Sequence, residues 1–217
     1  MRISTTTLES FRLFMDPEQE WMSEDDLAAT IRGEFVPNHK VLLGLAFGTV
    51  LETPEPYRVT GGYRISPRGC AETFELSDDV MGPALALIDR PRTVFEAKAL
   101  GRFGPHDVVA KADQLVGGRL FETKTTLSTF DFDKYAQACQ WRFMLDIFQA
   151  ASCTYHVFCL FESEATKVIE LRSVETFTLY PYPGLRQDCE ALVREFESYV
   201  TAKGLDGYLN IRRVEAA

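Results

Sequence analysis

Apolar and polar residues follow a strand-like pattern on both sides of a glycine pair in the middle of the chain. Residues 108–126 read VVAKADQLVGGRLFETKTT, with Gly117 and Gly118 between two arms rich in apolar and β-branched residues. Two glycines supply the positive φ angles that a two-residue hairpin turn requires. The pattern therefore predicts an antiparallel hairpin in which Gln114 lies opposite Phe121.

The other regular elements are indicated by apolar residues at helical or alternating spacing. Helices are predicted at residues 7–15, 24–35, 39–52, 78–90 (with Pro83 as a candidate break), 133–150 and 185–204. Strands are predicted in a hairpin at 57–66 and at 93–103, 153–161 and 168–180. Helix 39–52 is apolar nearly all round, which predicts burial on most of its sides.

From residue 39 to residue 162 the order of the main elements is helix, three antiparallel strands, helix, strand. This order predicts an α/β (α+β) fold with a mixed central sheet flanked by helices. The 217 residues, 46% of them hydrophobic, suffice for one domain with a sizeable core. We expect the core at about 39–162, with the N-terminal helices of 1–38 and the C-terminal strand and helix of 163–217 packed on it.

The net charge of −9 disfavours a protein that coats nucleic acid by bulk attraction. Much of the acid lies in the first 34 residues, whereas the stretch around the hairpin is basic. Its basic residues are Arg90, Arg92, Lys98, Arg102, Lys111, Arg119 and Lys124. The alternatives are a local track for a phosphate backbone and an ordinary solvated surface.

The cysteines and the apolar runs bear on the compartment. Five cysteines without a Cys-x-x-Cys pair predict buried thiols rather than disulfides or a zinc site. No run approaches the roughly 18 apolar residues of a membrane span, and the start MRISTTTLES lacks the features of a signal peptide. The expected compartment is the cytoplasm, with no membrane partner.

The predicted hairpin brings two carboxylates and an amine together. If the glycines form the whole loop, Asp113 lies directly opposite Glu122, and Lys124 emerges on the same face. Opposed carboxylates repel unless a cation joins them, and hard cations such as Mg²⁺ bind carboxylates, waters and phosphate oxygens. A nearby lysine can orient or help deprotonate the attacking water. The alternative is a surface hairpin whose acids are neutralised by Lys111 and Lys124.

Glu52 is the one acid of helix 39–52, and it shares a stripe with Val41, Leu45 and Gly48 at 100° per residue. It is either a glutamate that reaches solvent where the helix ends before Pro54, or a carboxylate aimed at the hairpin.

Three further residues or motifs are weaker candidates. Glu96-Ala97-Lys98 is a second Glu-x-Lys, ranked lower because nothing forces an acid opposite Glu96. Gln137 and Gln140 lie about 60° apart on a largely apolar helix face, where an amide needs a partner. A boundary glutamine bonded to backbone is the alternative reading.

The element order, with Glu52 on the first helix, Asp113 and Glu122-Thr123-Lys124 on the strands and glutamines on the next helix, resembles the PD-(D/E)XK nuclease superfamily. Within it the chain is most similar to the RecB-type branch, which includes phage recombination exonucleases. The match covers about residues 40–162. It implies a restriction-endonuclease-like αβββαβ core and one or two Mg²⁺ or Mn²⁺ ions. By the resemblance, Glu52, Asp113 and Glu122 hold the metal, the Thr123 carbonyl is a further ligand, and Lys124 works on the nucleophilic water.

The chain departs from that branch in two places. The branch often has His where Glu52 stands, and its helix motif is commonly Gln followed four residues later by Tyr. Here Gln137 is followed by Trp141 and Gln140 by Met144. We prefer Gln140, because the run QWRF resembles the phage-type version. The cysteine spacing is unlike that of the iron–sulfur members, so we expect no cluster.

The resemblance predicts a metal-dependent deoxyribonuclease, an exonuclease of phage or bacterial recombination or repair. Its expected partner is DNA, single- or double-stranded. A single-strand annealing protein and a homo-oligomer are compatible with the branch, and the sequence does not decide on either. The rival prediction is a non-catalytic DNA-binding or protein-interaction module that retains the fold. A sugar- or nucleotide-binding α/β protein is disfavoured because no Gly-rich phosphate loop precedes a helix.

Overall fold

The computed structural model of the chain describes residues 1–17, 22–67, 70–88 and 90–211. The strands are β1 (Arg2–Ser4), β2 (Arg58–Val59), β3 (Gly62–Ile65), β4 (Phe74–Ser77), β5 (Val94–Phe103), β6 (His106–Val116), β7 (Arg119–Thr126), β8 (Ser152–Glu162) and β9 (Ile169–Leu179). The α-helices are α1 (Thr5–Met15), α2 (Glu24–Arg32), α3 (His39–Glu52), α4 (Asp78–Ala86), α5 (Phe132–Ala136), α6 (Gln140–Phe148), α7 (Leu185–Ala202) and α8 (Asp206–Ile211).

Local capping explains where α2 and α3 begin. The side chain of Ser23 accepts the N–H of Asp26, whose carboxylate accepts the N–H of Ser23, so α2 begins with a complete capping box. Asn38 accepts the N–H of Val41 and thereby fixes the start of α3. The predicted bounds of α3 are confirmed.

β6 is the central strand of a six-stranded mixed sheet. β5 pairs with it antiparallel along one edge, from Phe103–His106 to Val94–Leu115. The other edge is shared: β1 pairs there in parallel at residues 107–109, and β7 pairs antiparallel at residues 114–116. β8 continues the sheet in parallel beside β7, and β9 closes it antiparallel to β8. The predicted mixed central sheet is confirmed.

Two hydrophobic clusters cover the two faces of this sheet. The larger joins the sheet to α1, α2, α6 and α7, and takes Tyr155 and Val157 from β8. The smaller joins it to α3, α4 and a three-stranded sheet of β2, β3 and β4, and takes Phe158 and Leu160 from β8. Helices therefore flank the sheet on both sides, as predicted. No helix in the described ranges is long and apolar enough to cross a membrane.

The single helix predicted at 133–150 is wrong, because the chain breaks between α5 and α6. The backbone N–H of Cys139 donates to the carboxylate of Glu9 at 2.6 Å, a contact from α1 that local periodicity does not reveal. Pro83, by contrast, does not interrupt α4. The short elements β1, β4 and α8 were not predicted. The side chain of Arg90, named above in the basic stretch, and residues 212–217 of the predicted C-terminal part lie outside the described residues.

Candidate functional site

The β6–β7 ladder stops where the candidate carboxylates begin. Its last pair is Gln114 with Phe121, in the predicted register. At the next position side chains join the strands instead: the N–H of Asp113 donates to Glu122 Oε1 at 3.1 Å, and the N–H of Thr123 donates to Asp113 Oδ2 at 2.9 Å. The direct opposition predicted for Asp113 and Glu122 is thus not a backbone ladder pair. Each carboxylate instead satisfies an amide of the other strand.

The sheet topology accounts for this parting of the strands. Because β1 holds the β6 edge at residues 107–109 and β7 holds it at 114–116, residues 110–113 pair with neither strand. Asp113 therefore lies at the point where β6 and β7 separate. We call this opening, formed by Asp113, Glu122, Thr123 and Lys124, the wedge.

Glu122 is the buried acid of the wedge, with a side chain only 1% exposed. Burial raises its pKa to about 7, the charge of Asp113 adds to the rise, and Lys124 opposes it. Lys124 Nζ lies 2.8 Å from Glu122 Oε2. Burial alone would lower the pKa of Lys124, but the charges of Glu122 and Asp113 outweigh it and raise that pKa. The wedge therefore holds two carboxylates, of Asp113 and Glu122, against the single ammonium of Lys124. A bound cation would reduce the repulsion between the carboxylates.

A cavity of about 680 Å³ opens beside the wedge, between α3 on one side and β5, β6 and β7 on the other. Its lining includes Glu52, Asp113, Thr123 and Lys124. Burial raises the pKa of Glu52, and the nearby charges of Glu96 and Asp113 raise it further, while Lys111 opposes them. Glu52 therefore shares the electrostatic environment of the wedge. Of the two orientations that the sequence allows for Glu52, the structure has the one towards the hairpin.

The donor set fits a hard divalent cation. Carboxylate oxygens are the ligands that Mg²⁺ and Mn²⁺ prefer, and the raised pKa of Glu122 marks a place where added positive charge is favourable. In the described part of the chain no three His, Cys, Asp or Glu side chains meet closely enough to hold an ion as they stand. The ligand set of Glu52, Asp113, Glu122 and the Thr123 carbonyl stays a prediction.

The two candidate glutamines are placed differently. Gln140 is the first residue of α6 and lines the cavity. Gln137 is the exposed C-cap residue of α5 and is not part of the lining. The two glutamines lie on different helices, because the chain breaks after Gln137 and α6 begins at the cavity wall with Gln140.

Glu96 also lines the cavity, and the reason for ranking it lower, that nothing forces an acid opposite it, is wrong. The β5–β6 ladder runs from Phe95–Gln114 to Ala97–Ala112 and skips the position between them, where Glu96 has a φ of 53° and faces Asp113 across the gap. Its carboxylate forms an ion pair with Lys111. Asp113 therefore interrupts the ladders on both of its sides. Counting the register back from the Phe103–His106 pair would have placed an acid opposite Glu96.

The face of α3 that lines the cavity is more exposed than predicted. Val41 is 38% exposed and Leu45 is 52% exposed, and both line the cavity together with Gly48. The prediction of burial on most sides is confirmed for the rest of the helix, and this face is the exception. The apolar pattern alone does not show which face of such a helix is left open.

No protein-family model and no curated protein sequence matches the chain. Among solved structures, one of the alkaline exonuclease LHK-Exo from Laribacter hongkongensis aligns with a TM-score of 0.47 and 10% identity, over 100% of this chain and 95% of that one. LHK-Exo in complex with dAMP aligns with a TM-score of 0.49 and 14% identity, over 99% and 94%. A protein named as a putative exonuclease from Eubacterium rectale aligns with a TM-score of 0.50 and 10% identity, over 95% of this chain and 82% of that one. The chain thus has a mixed α/β fold similar to that of this last structure, with a central sheet flanked by helices.

Proposed function

We propose that the protein is a metal-dependent deoxyribonuclease that hydrolyses DNA phosphodiester bonds, acting as an exonuclease in phage or bacterial recombination or repair. The observation that carries the proposal is the wedge, in which the buried carboxylate of Glu122 accepts the N–H of Asp113 and lies 2.8 Å from Lys124 Nζ, while burial raises the pKa of this carboxyl. The similarity in fold to a protein named as an exonuclease supports it.

In this proposal Glu52, Asp113 and Glu122 hold one or two Mg²⁺ or Mn²⁺ ions, with the Thr123 carbonyl as a further ligand. When bound, such an ion neutralises charge on the scissile phosphate and lowers the pKa of a bound water. The N–H of Thr123 donates to Asp113 and thereby fixes the orientation of that carboxylate. The protein contributes a rigid, partly buried carboxylate pair.

The role of Lys124 follows from its position. Held 2.8 Å from Glu122, the ammonium is positioned to orient a nucleophilic water and to stabilise negative charge as it develops on the phosphate. Help in deprotonating that water is the alternative role, because a bound cation would offset the carboxylate charges that raise the pKa of Lys124.

The wall of the cavity beyond the wedge supplies groups that suit a phosphate backbone. Thr125, Thr126 and Ser128 line it with hydroxyl-bearing side chains, Lys134 adds an ammonium, and Gln140 adds an amide. Such groups fix the register of a strand without reading its sequence.

The decisive experiment is incubation of the purified protein with end-labelled single- and double-stranded DNA in Mg²⁺, Mn²⁺ or EDTA. Cleavage that needs the metal and is lost in Asp113→Ala supports the proposal. Asp79→Ala, which removes an exposed acid of α4 outside the cavity, is the matched control and should cleave normally. DNA binding without cleavage in either metal would indicate the rival non-catalytic module. If the protein neither binds nor cleaves DNA, the nuclease proposal and the rival DNA-binding module are both wrong.

A further inference from the structure

The α3 wall of the cavity is apolar although it faces open space. Val41 and Leu45 expose 38% and 52% of their surfaces there, one helical turn apart, and Gly48 continues the same stripe towards Glu52. Exposed apolar surface that lines a cavity of a soluble domain is more often a binding surface than a fold requirement.

Gly48 makes no close contact with the described residues that would require a glycine. A glycine inside a helix is less favourable than alanine by about 0.5–1 kcal/mol, so an internal glycine usually reflects a close contact. A Cβ built on Gly44 would lie 3.3 Å from Thr125 Oγ1, which explains that glycine in part. A Cβ built on Gly48 would meet nothing within 4 Å. The space beside Gly48 is therefore open towards the cavity.

The opposite wall has complementary chemistry. Thr125, Thr126 and Ser128 follow the wedge along the strand, and Lys134 stands beyond them. On the α3 side itself, Lys40 is exposed at the start of the helix, lines the same cavity next to Val41 and has no ion-pair partner among the described residues. One wall thus suits an apolar group and the other suits a chain of phosphates.

We propose that this cavity binds one unpaired DNA strand, with the faces of its sugars and bases against Val41, Leu45 and Gly48 and its phosphates along the polar wall. A duplex presents phosphates and sugars outwards and hides its base faces in the stack, whereas an unpaired strand offers both the base faces and the phosphates. The inference rests on the proposed function and adds the substrate class: the strand enters the site as a single strand.

The test is a matched glycine series. Gly48→Ala and Gly48→Met add side chains into the cavity, and Gly82→Ala and Gly82→Met make the same changes inside α4, where a Cβ also meets nothing within 4 Å and no cavity residue is involved. Gly48→Ala should unfold at a slightly higher temperature than the wild type, because it removes a helical glycine. Gly82→Ala should not gain in the same way, because Gly82 precedes Pro83, whose ring disfavours the helical conformation for a residue with a Cβ; both position 82 variants therefore serve as controls for binding only. Only the position 48 series should lose affinity for a fluorescein-labelled 12-nucleotide oligothymidylate in Ca²⁺, measured by anisotropy. We expect about tenfold weaker binding for Gly48→Met, and a raised KM in Mg²⁺.

Three outcomes separate the hypotheses. If the wild type cleaves DNA but Gly48→Met binds and cleaves the single strand as Gly82→Met does, the α3 wall is not the binding surface and this inference fails alone. Equal affinity of the wild type for a blunt duplex and for the single strand would also overturn it. If the wild type neither binds nor cleaves DNA, the proposed function fails and this inference fails with it.

A second variant covers the case in which Gly48→Met does not fold. Leu45→Gln changes the same wall at an exposed position, and Leu87→Gln is its control, at a residue that is 49% exposed and outside the cavity. Weaker single-strand binding in Leu45→Gln alone supports the inference, and equal binding in the two variants contradicts it.

Discussion

The molecule contains two Glu-x-Lys tripeptides, and their surroundings give them different properties. In Glu122-Thr123-Lys124 the glutamate is 1% exposed, and its own lysine lies 2.8 Å away. In Glu96-Ala97-Lys98 the glutamate side chain is 38% exposed and forms an ion pair with Lys111 of the next strand, not with Lys98. Its backbone has a φ of 53°. Lys98 is left exposed.

Asp113 lies between the two tripeptides, at a gap in the ladder on each side. Burial is the largest cause of the raised pKa of Glu122, and the charge of Asp113 is the second. The comparison indicates that burial in a parted ladder, and not the tripeptide itself, makes a glutamate suited to bind a cation. Substituting matching positions of the two tripeptides tests this.

The largest difference is expected between the two lysines. Lys124→Ala should lower the rate of Mn²⁺-dependent cleavage by about 10² to 10⁴-fold, because the ammonium that orients the water and stabilises charge in the transition state is lost. Lys98→Ala should stay within about twofold of the wild type, since Lys98 is exposed and outside the cavity. Initial rates on end-labelled DNA measure both. Equal losses, or none, would remove Lys124 from the mechanism.

The two glutamates should differ next. Glu122→Gln should weaken Mn²⁺ binding by roughly tenfold or more in calorimetric titration, because it removes a predicted ligand and its charge. Glu96→Gln should change the affinity by less, since that carboxylate is engaged by Lys111. Thermal unfolding is the control for folding. In Glu122→Gln the NH₂ group of the new amide, itself a donor, would face one of two donors, the N–H of Asp113 or the ammonium of Lys124. Unchanged binding in Glu122→Gln would contradict the ligand assignment.

Metal binding should release protons in a pH-dependent way. Because burial raises the pKa of Glu122 to about 7, part of this group is protonated near neutral pH and must lose its proton to bind a cation. Mn²⁺ affinity should therefore rise as the pH increases through the neutral range and then level off. Titrations at pH 7 in buffers of different ionisation enthalpy should show proton release from this group, and Glu122→Gln should lack that contribution. Release unaffected by this substitution would assign the proton to another group.

The smallest expected effect is a gain in stability. Because the pKa of Glu122 is raised on folding, its contribution to the free energy of unfolding is complete below about pH 4.5 and is lost as the pH rises through 7. Asp113→Asn removes the repulsive charge while its amide oxygen can still accept the N–H of Thr123. Denaturation in EDTA at pH 8 should show a gain of about 1 kcal/mol. The gain should vanish at pH 4, and an equal gain there would contradict the electrostatic explanation.

Local pattern was sufficient for much of the fold and for the centre of the site. The turn at Gly117-Gly118 fixed the register as far as Gln114 and Phe121, and that register brought Asp113, Glu122 and Lys124 together. The bounds of α3 followed from its apolar run. These features depend on residues close together in the chain.

The remaining features depend on distant contacts. The break before Gln140 involves the carboxylate of Glu9, more than a hundred residues away. The wedge requires β1, a strand of three residues that is too short to show periodicity. The exposed face of α3 has the same apolar pattern as a buried one. Glu96 is the exception, because register counting along its own hairpin was sufficient to find it.

β1 also bears on the order in which the chain folds. The β6–β7 hairpin closes over a two-residue turn, whereas β1 must bring Ile3 to Val108. Closing the longer loop costs more chain entropy, so distant pairings generally form later than local ones. Until β1 docks, the β6 edge at 107–109 is free, and β7 can continue to pair along it past Gln114. We therefore expect refolding to recover the hairpin first and the parted strands at Asp113 only after the amino-terminal strand has taken its place.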